Sequence, residues 1–297
     1  MRTLLAVGLG YCGRHLLVQE TGLFARAFGT SRNADVAHNL ADLAQPGLEV
    51  NGIVFDGETL PPALRTAIAE ADVLLLSAPP DGNGDPLLRV AGPALKASPR
   101  LAQVIYLTTL GVYGDHDGAW VDETTLPRPG SLRLQRRVAA EADWQAFGRG
   151  KGVPVAILRL AGIYGPGRNA LVQVRAGQAR RIDKAGQVFN RVHVDDIATS
   201  IRAVVERRFD GVANITDDLP TAPGEPVVHA ASLLGLAPPP AVPFEEAARE
   251  MSPMALTFWA GNKRVRNAVM KEKLGVALKY PTYREGLAAL HAAGEGK

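Results

Sequence analysis

Residues 3–17 read TLLAVGLGYCGRHLL, and the three glycines in that run, Gly8, Gly10 and Gly13, decide the fold. The apolar residues 3–8 predict a short strand, and the amphipathic pattern from Gly13 to Glu20 predicts a helix. Between them stands G-x-G-x-x-G. Gly8 permits a tight turn, Gly10 lets the backbone approach a pyrophosphate, and Gly13 lets helix and strand pack closely. The helix N-terminus, from Tyr11 and Cys12 onward, adds unpaired N–H groups and a partial positive charge. With strand and helix in place on either side, the turn predicts dinucleotide binding.

The same rhythm continues outward. Apolar runs at 25–30, 49–55, 72–77, 103–109 and 153–160 predict further strands. Amphipathic stretches Pro61 to Ala71, Pro86 to Ala97 and Leu132 to Gly148 predict helices between them. Continuously apolar strands separated by helices predict a parallel sheet covered on both faces, and right-handed crossovers make it doubly wound. Residues 161–193 are rich in Gly and Arg and break the pattern. A helix from Asp196 to Arg208 and a strand from Gly211 to Thr216 restore it, and a proline-rich stretch follows at 217–254. The fold class is therefore α/β, a doubly wound parallel-sheet Rossmann fold with a smaller C-terminal substrate lobe. Residues 1–160 and about 194–216 form the dinucleotide-binding domain, and 161–193 with 217–297 form the lobe.

The 297 residues are 46% apolar and 21% charged, enough for such a core. Net charge is +3, and the basic residues are scattered without an aromatic-interleaved stripe, which argues against nucleic acid. One cysteine, Cys12, excludes an internal disulfide framework and a cysteine zinc site, and no metal site is predicted. The apolar start resembles a signal peptide, but glycines interrupt it and no cleavage-type site follows. No apolar run approaches the roughly 20 residues that span a bilayer, so the reading is cytoplasmic with no membrane association.

The end of the second strand chooses the dinucleotide. NAD readers place an acid there for the ribose 2′-OH, whereas this chain has Thr30, Ser31 and Arg32. Ser31 and Arg32 can hold a 2′-phosphate, which predicts NADP, with NAD the less favoured cofactor. Asp35 is read as a solvated helix start. Asp56, after the third strand, is a candidate for the adenine end. Ser77, Ala78 and Pro79, after the fourth, leave room where the cofactor crosses.

Three later stretches then align. TTLGVYG (108–114), LRLAGIYGPGR (158–168) and RVHVDDIA (191–198) resemble segments of extended short-chain dehydrogenases/reductases, the NAD-dependent epimerase/dehydratase group. The tail from 261 to 287 resembles the end of a divergent, atypical branch. The resemblance implies hydride transfer between nicotinamide and a hydroxyl or carbonyl carbon of a small-molecule substrate. It implies a catalytic Thr109, with Thr108 beside the cofactor. It also implies a Tyr and a Lys four residues apart, but RVAAE (137–141) in LPRPGSLRLQRRVAAEAD puts Arg133 and Arg137 at those places. The spacing sets both on one helix face. Arginine stays protonated, so it can hold an anion or stabilise an oxyanion but cannot serve as the acid. The resemblance further makes this helix a homodimer contact.

Other residues are candidates for the missing proton or for substrate. Tyr113 and Tyr164 fall in the cleft motifs. His116, in GDHDG (114–118), titrates near neutrality, although the segment also reads as an exposed turn. Arg168, Asn169 and Arg191 are candidate substrate residues. Phe189 stands where nucleotide-sugar members of the resembled group carry a diphosphate-binding arginine. His193 and Asp196 fit a helix start, with Asp196 as the cap, and Lys263 to Arg266 read as a solvated charge run. Three functions are consistent with this pattern: an NADP-dependent oxidoreductase with a non-standard proton donor, a dinucleotide-binding sensor or scaffold without turnover, and, less favoured, a nucleotide-sugar epimerase or dehydratase.

Overall fold

The computed structural model describes residues 2–297. Seven parallel strands make the central sheet: β1 (Thr3–Val7), β2 (Arg26–Ser31), β3 (Glu49–Val54), β4 (Val73–Leu76), β5 (Gln103–Thr109), β6 (Val155–Leu160) and β7 (Gly211–Ile215). Across the sheet they run β7-β6-β5-β4-β1-β2-β3, so the order reverses between β1 and β4. In an open sheet such a switch point leaves a crevice outside the carboxyl ends of the strands.

The strands are apolar throughout because both faces are covered. In β1, Leu4 and Ala6 point into one core with Leu16, Ile197 and Ile201, under α1 (Tyr11–Gln19) and α5 (Val194–Arg207). Leu5 and Val7 point into the other, with Leu64, Ala91 and Trp144. That face is covered by α2 (Pro62–Glu70), α3 (Pro86–Ala97) and α4 (Leu132–Lys151). Full burial of each Leu contributes about 1.5–3 kcal/mol, so two such layers fix the register.

Three two-stranded parallel ladders extend beyond the sheet. Gly162–Tyr164 pairs with Arg191–His193, Arg181–Asp183 with Ala241–Pro243, and Trp120–Val121 with Arg264–Val265. A third apolar cluster joins Tyr164, Leu171, Ala230, Tyr283, Leu287 and Leu290. Two expectations are corrected here. The run from Lys263 is not a solvated face: Arg264–Val265 is a strand, and Lys263 is 8% exposed. The cap of α5 is His193, whose Nδ1 accepts from the Asp195 N–H at 3.1 Å, not Asp196. The Asp196 carboxylate instead accepts from the Lys279 and Tyr280 N–H groups, tying the C-terminal segment to α5. Among the described residues no helix is long and apolar enough to cross a membrane.

Candidate functional site

The crevice at the switch point is built from the glycine turn. Gly8 has φ +80, and a Cβ there would stand 3.0 Å from Ala78 N, so the ends of β1 and β4 meet without room for a side chain. The Gly8 N–H donates to Thr30 Oγ1 at 2.9 Å, which joins the turn to β2. A Cβ at Gly13 would meet the Leu9 side chain of the same turn, Cδ1 at 2.6 Å. Gly10 caps α1 without any side-chain acceptor, leaving the first-turn N–H groups of Tyr11, Cys12 and Gly13 for a ligand. The Arg168 guanidinium lies over the Tyr11 ring, 5.8 Å from its centroid, and adds charge at that helix end. The 2′-phosphate candidates end β2: Arg32 is exposed and has no internal partner among the described residues, while Ser31 Oγ accepts from Asn33 N–H. Ser77 and Ala78 both donate their N–H to the Val7 carbonyl, and Pro79 is exposed beyond them. The Asp56 carboxylate is exposed and accepts from the Glu58 and Thr59 N–H groups, which hold it below the usual carboxylate range. Thr108 is buried, and its Oγ1 has no hydrogen-bond partner. A turn closed to a Cβ at Gly8, an uncapped helix and a free arginine together fit a dinucleotide.

Beside the crevice opens a cleft of about 770 Å³, between the carboxyl end of β5, the start of α4 and the C-terminal segments. Thr109 lines it, with Oγ1 accepting from the Gly111 N–H at 3.1 Å. The two arginines of α4 diverge. Arg133 lines the cleft, its guanidinium 5.5 Å from the Phe258 ring centroid, and burial together with Arg137 lowers its pKa. Arg137 turns toward the sheet, and its Nη1 donates to the Leu107 carbonyl at 3.1 Å.

The candidate donors have their polar atoms engaged elsewhere. Tyr113 is fully buried, and its hydroxyl donates to Asn214 Oδ1 at 2.8 Å. Tyr164 lines the cleft with its ring, but its hydroxyl donates to the Thr282 carbonyl, and burial pushes its pKa far up. His116 lies outside the lining, its Nε2 at 3.0 Å from the Tyr113 carbonyl, in a turn closed by Asp115. Neither tyrosine hydroxyl is free toward the cleft, and His116 does not line it. Asn169 lines the cleft but is committed as the cap of the helix Ala170–Arg175, accepting from Val172 N–H and donating to the Gly165 carbonyl and Glu295. Arg191 lines the cleft and donates to the carbonyls of Phe189 (3.2 Å) and Pro223 (3.4 Å).

Lys263 is the residue that sequence reasoning missed. Its Nζ donates to the Gly114 carbonyl at 2.8 Å and lines the same cleft. Burial pushes its pKa down to about 8, and Asp115 opposes that shift. The neighbouring Asn190 fixes it by donating to the Lys263 carbonyl and accepting from Val265 N–H. No periodicity marks this lysine, because its burial depends on a strand far away in sequence.

No family model matches the chain. Protein YeeZ of Escherichia coli (strain K12) is 30% identical over 250 residues, covering 80% of this chain and 86% of that protein. A conserved protein of unknown function from Silicibacter pomeroyi DSS superposes with a TM-score of 0.85 at 44% identity, covering 99% of this chain and 100% of that one. The dTDP-glucose 4,6-dehydratase of Bacillus anthracis str. Ames, solved in complex with NAD, superposes with a TM-score of 0.74 over 99% of this chain and 98% of that one. Its identity is 18%, so that likeness speaks for the fold alone.

Proposed function

We propose that the chain, which belongs to one family with Protein YeeZ and has the fold of NAD-dependent epimerase/dehydratase proteins, is a nicotinamide-dependent oxidoreductase acting on a small carbonyl or hydroxyl substrate. NADP is the preferred dinucleotide, and the proton donor is not the family's tyrosine. The observation that carries this reading is the meeting of two features at the carboxyl edge of the sheet: the turn closed by Gly8 against Ala78, and the cleft lined by Thr109.

When bound, the dinucleotide supplies or accepts a hydride at its nicotinamide ring. The chain's own residues do the rest. First-turn N–H groups of α1 and Arg168 hold the pyrophosphate. Ser31 and Arg32 hold the 2′-phosphate. Thr109 Oγ1 orients the substrate oxygen, and Arg133 stabilises negative charge that develops on it. Arg137, braced on the Leu107 carbonyl, positions the strand end that carries Thr109. Lys263 Nζ holds the proton that a carbonyl oxygen gains on reduction. Unlike arginine, a buried lysine near pH 8 exchanges its proton readily.

A second reading, a dinucleotide sensor without turnover, is favoured by the inward commitments of both Tyr113 and Tyr164. Nucleotide-sugar chemistry is less favoured, because Phe189 packs on the Trp259 ring, 5.0 Å between centroids, where a diphosphate-binding arginine is expected. Purified protein with NADPH and a panel of small ketones, aldehydes and keto acids decides between the first two. Loss of the reduced nicotinamide's ultraviolet absorbance with at least one substrate is the expected result. NADPH binding with no consumption across the panel establishes the sensor instead.

A further inference from the structure

The cleft carries charge of one sign. Arg128, Arg133, Arg168, Arg191 and Lys263 line it, against one carboxylate, Asp115. Among the described residues none of the five makes an ion pair. Asp115 is itself engaged by the N–H groups of Asn262 (2.8 Å) and Asp117 (3.2 Å). By contrast, the buried Arg159 meets Glu141 at 2.7 Å, with both side chains 6% exposed.

Arg191 is the sharpest case. Its guanidinium reaches only two carbonyl oxygens and lies 5.9 Å from the Tyr283 ring centroid. Neutral acceptors orient this partly buried guanidinium without neutralising it, and desolvation lowers its pKa. Asp217, whose carboxyl is pushed up chiefly by burial, makes no ion pair with it. Lys263 stands at the Gly114 end and Arg191 at the wall of Pro223 and Tyr283, with Leu160, Val227, Leu287 and Phe258 as apolar lining. We propose that the cleft takes an organic anion, an apolar body bearing one carboxylate or phosphate, and that Arg191 anchors the charged group. The partly buried guanidinium offers the directional donors such a group needs, and the volume suits a small molecule.

The proposal rests on reading this cleft as the substrate site. Calorimetric titration with 3-phenylpropionate, 2-phenylethyl phosphate, 3-phenylpropanamide and 3-phenylpropanol tests it. At least one of the two anions binds, tighter than the amide and the alcohol by about tenfold or more. The stronger of the two identifies the preferred headgroup. Arg191→Met loses that preference while its affinity for the amide stays the same. Arg133→Met, whose guanidinium makes no internal hydrogen bond among the described residues, weakens the anion alone by about threefold and guards against a fold defect in the first variant. Equal binding of all four probes overturns the proposal. So does absence of anion binding up to about 10 mM, or an Arg191→Met variant that retains the preference. NADPH is titrated on the same samples. Failure of NADPH alone removes the cofactor reading and leaves the anion site, whereas failure of anion preference alone does the reverse.

Discussion

Arg133 and Arg137 share one face of α4 and do different work. Arg137 is spent on the Leu107 carbonyl, whereas Arg133 faces the cleft. An arginine does not release a proton near neutrality, so that role falls to Lys263. The protonated amine is the active form for reduction. The reductive rate therefore holds below about pH 8 and falls as pH rises through it. Lys263→Met should lower the reductive rate on the order of 10²–10⁴-fold and flatten that limb, as a pH–rate profile will show. An unchanged limb in the variant would remove Lys263 from the chemistry. At the other end of the dinucleotide, Arg32→Ala should weaken NADPH about tenfold or more and leave NADH nearly untouched. Equal weakening of both would remove the 2′-phosphate assignment. These residues were unequally legible. Gly8, Gly13 and Thr109 declared themselves through local motifs whose geometry is local. Lys263 did not, because the carbonyl that holds it lies 149 positions away in sequence. Tyr113 and Tyr164 misled for the same reason: their hydroxyls answer to Asn214 and Thr282, partners far off in the chain.

Among the elements, α4 best shows how a helix is set and what it costs to disturb it. Ser131 caps its start, accepting from Leu134 N–H, and Gly152 ends it with φ 75, the left-handed conformation that favours glycine. Gly148 lets it lie on the sheet, since a Cβ there would stand 2.3 Å from Val155 Cγ2. Its buried Glu141 accepts from Arg159 Nε and Nη2 (3.2 and 2.7 Å), and Arg159 also lies over the Tyr113 ring. Removing one partner strands a buried charge. Glu141→Ala should cost about 3–5 kcal/mol in urea unfolding, and Glu141→Leu combined with Arg159→Leu should recover most of it. A Glu141→Ala cost below about 1 kcal/mol would show that the pair is not desolvated as described. The sequence predicts this helix and its start well, because capping and apolar spacing are short-range. It shows Glu141 only as part of a motif, and gives no sign of the ion pair with a strand residue.

For the whole molecule, the sheet was readable and the lobe was not. A parallel strand buried on both faces is a continuous apolar run, so all seven central strands were predicted within two residues at either end. The ladder of Trp120–Val121 with Arg264–Val265 is two residues long on each side and joins distant segments. No pattern of that length stands out from a charge run. Distant packing also sets how stability depends on pH. Asp217 is buried, with Oδ2 unpartnered, and its carboxyl is pushed up to about 8 from an ordinary value of 3.8. Between those values the folded chain keeps a proton that the unfolded chain loses, so this group makes stability fall as pH rises through the window. Asp196, raised to about 6 mainly by burial, acts in the same direction. His193, lowered to about 4 by burial, acts oppositely between 4 and 6.5. Asp217→Asn should therefore lose less stability than the wild-type chain between pH 6.5 and 8, by up to ~1.4 kcal/mol per pH unit, in thermal or urea melts. Parallel melting curves for the two proteins across that range would show that Asp217 ionises normally.

The hydride chemistry proposed at the cleft depends on a dinucleotide lying across the β1–β4 switch point. Fluorescence titration with NADPH, on the wild-type chain and on Gly8→Val, asks this directly. A side chain at Gly8 would require φ near +80 and a Cβ 3.0 Å from Ala78 N, closing the cradle. Saturable NADPH binding to the wild type, lost in a folded Gly8→Val, is the predicted result. No saturable binding of NADPH or NADH to the wild type, or undiminished binding to the variant, would contradict the account.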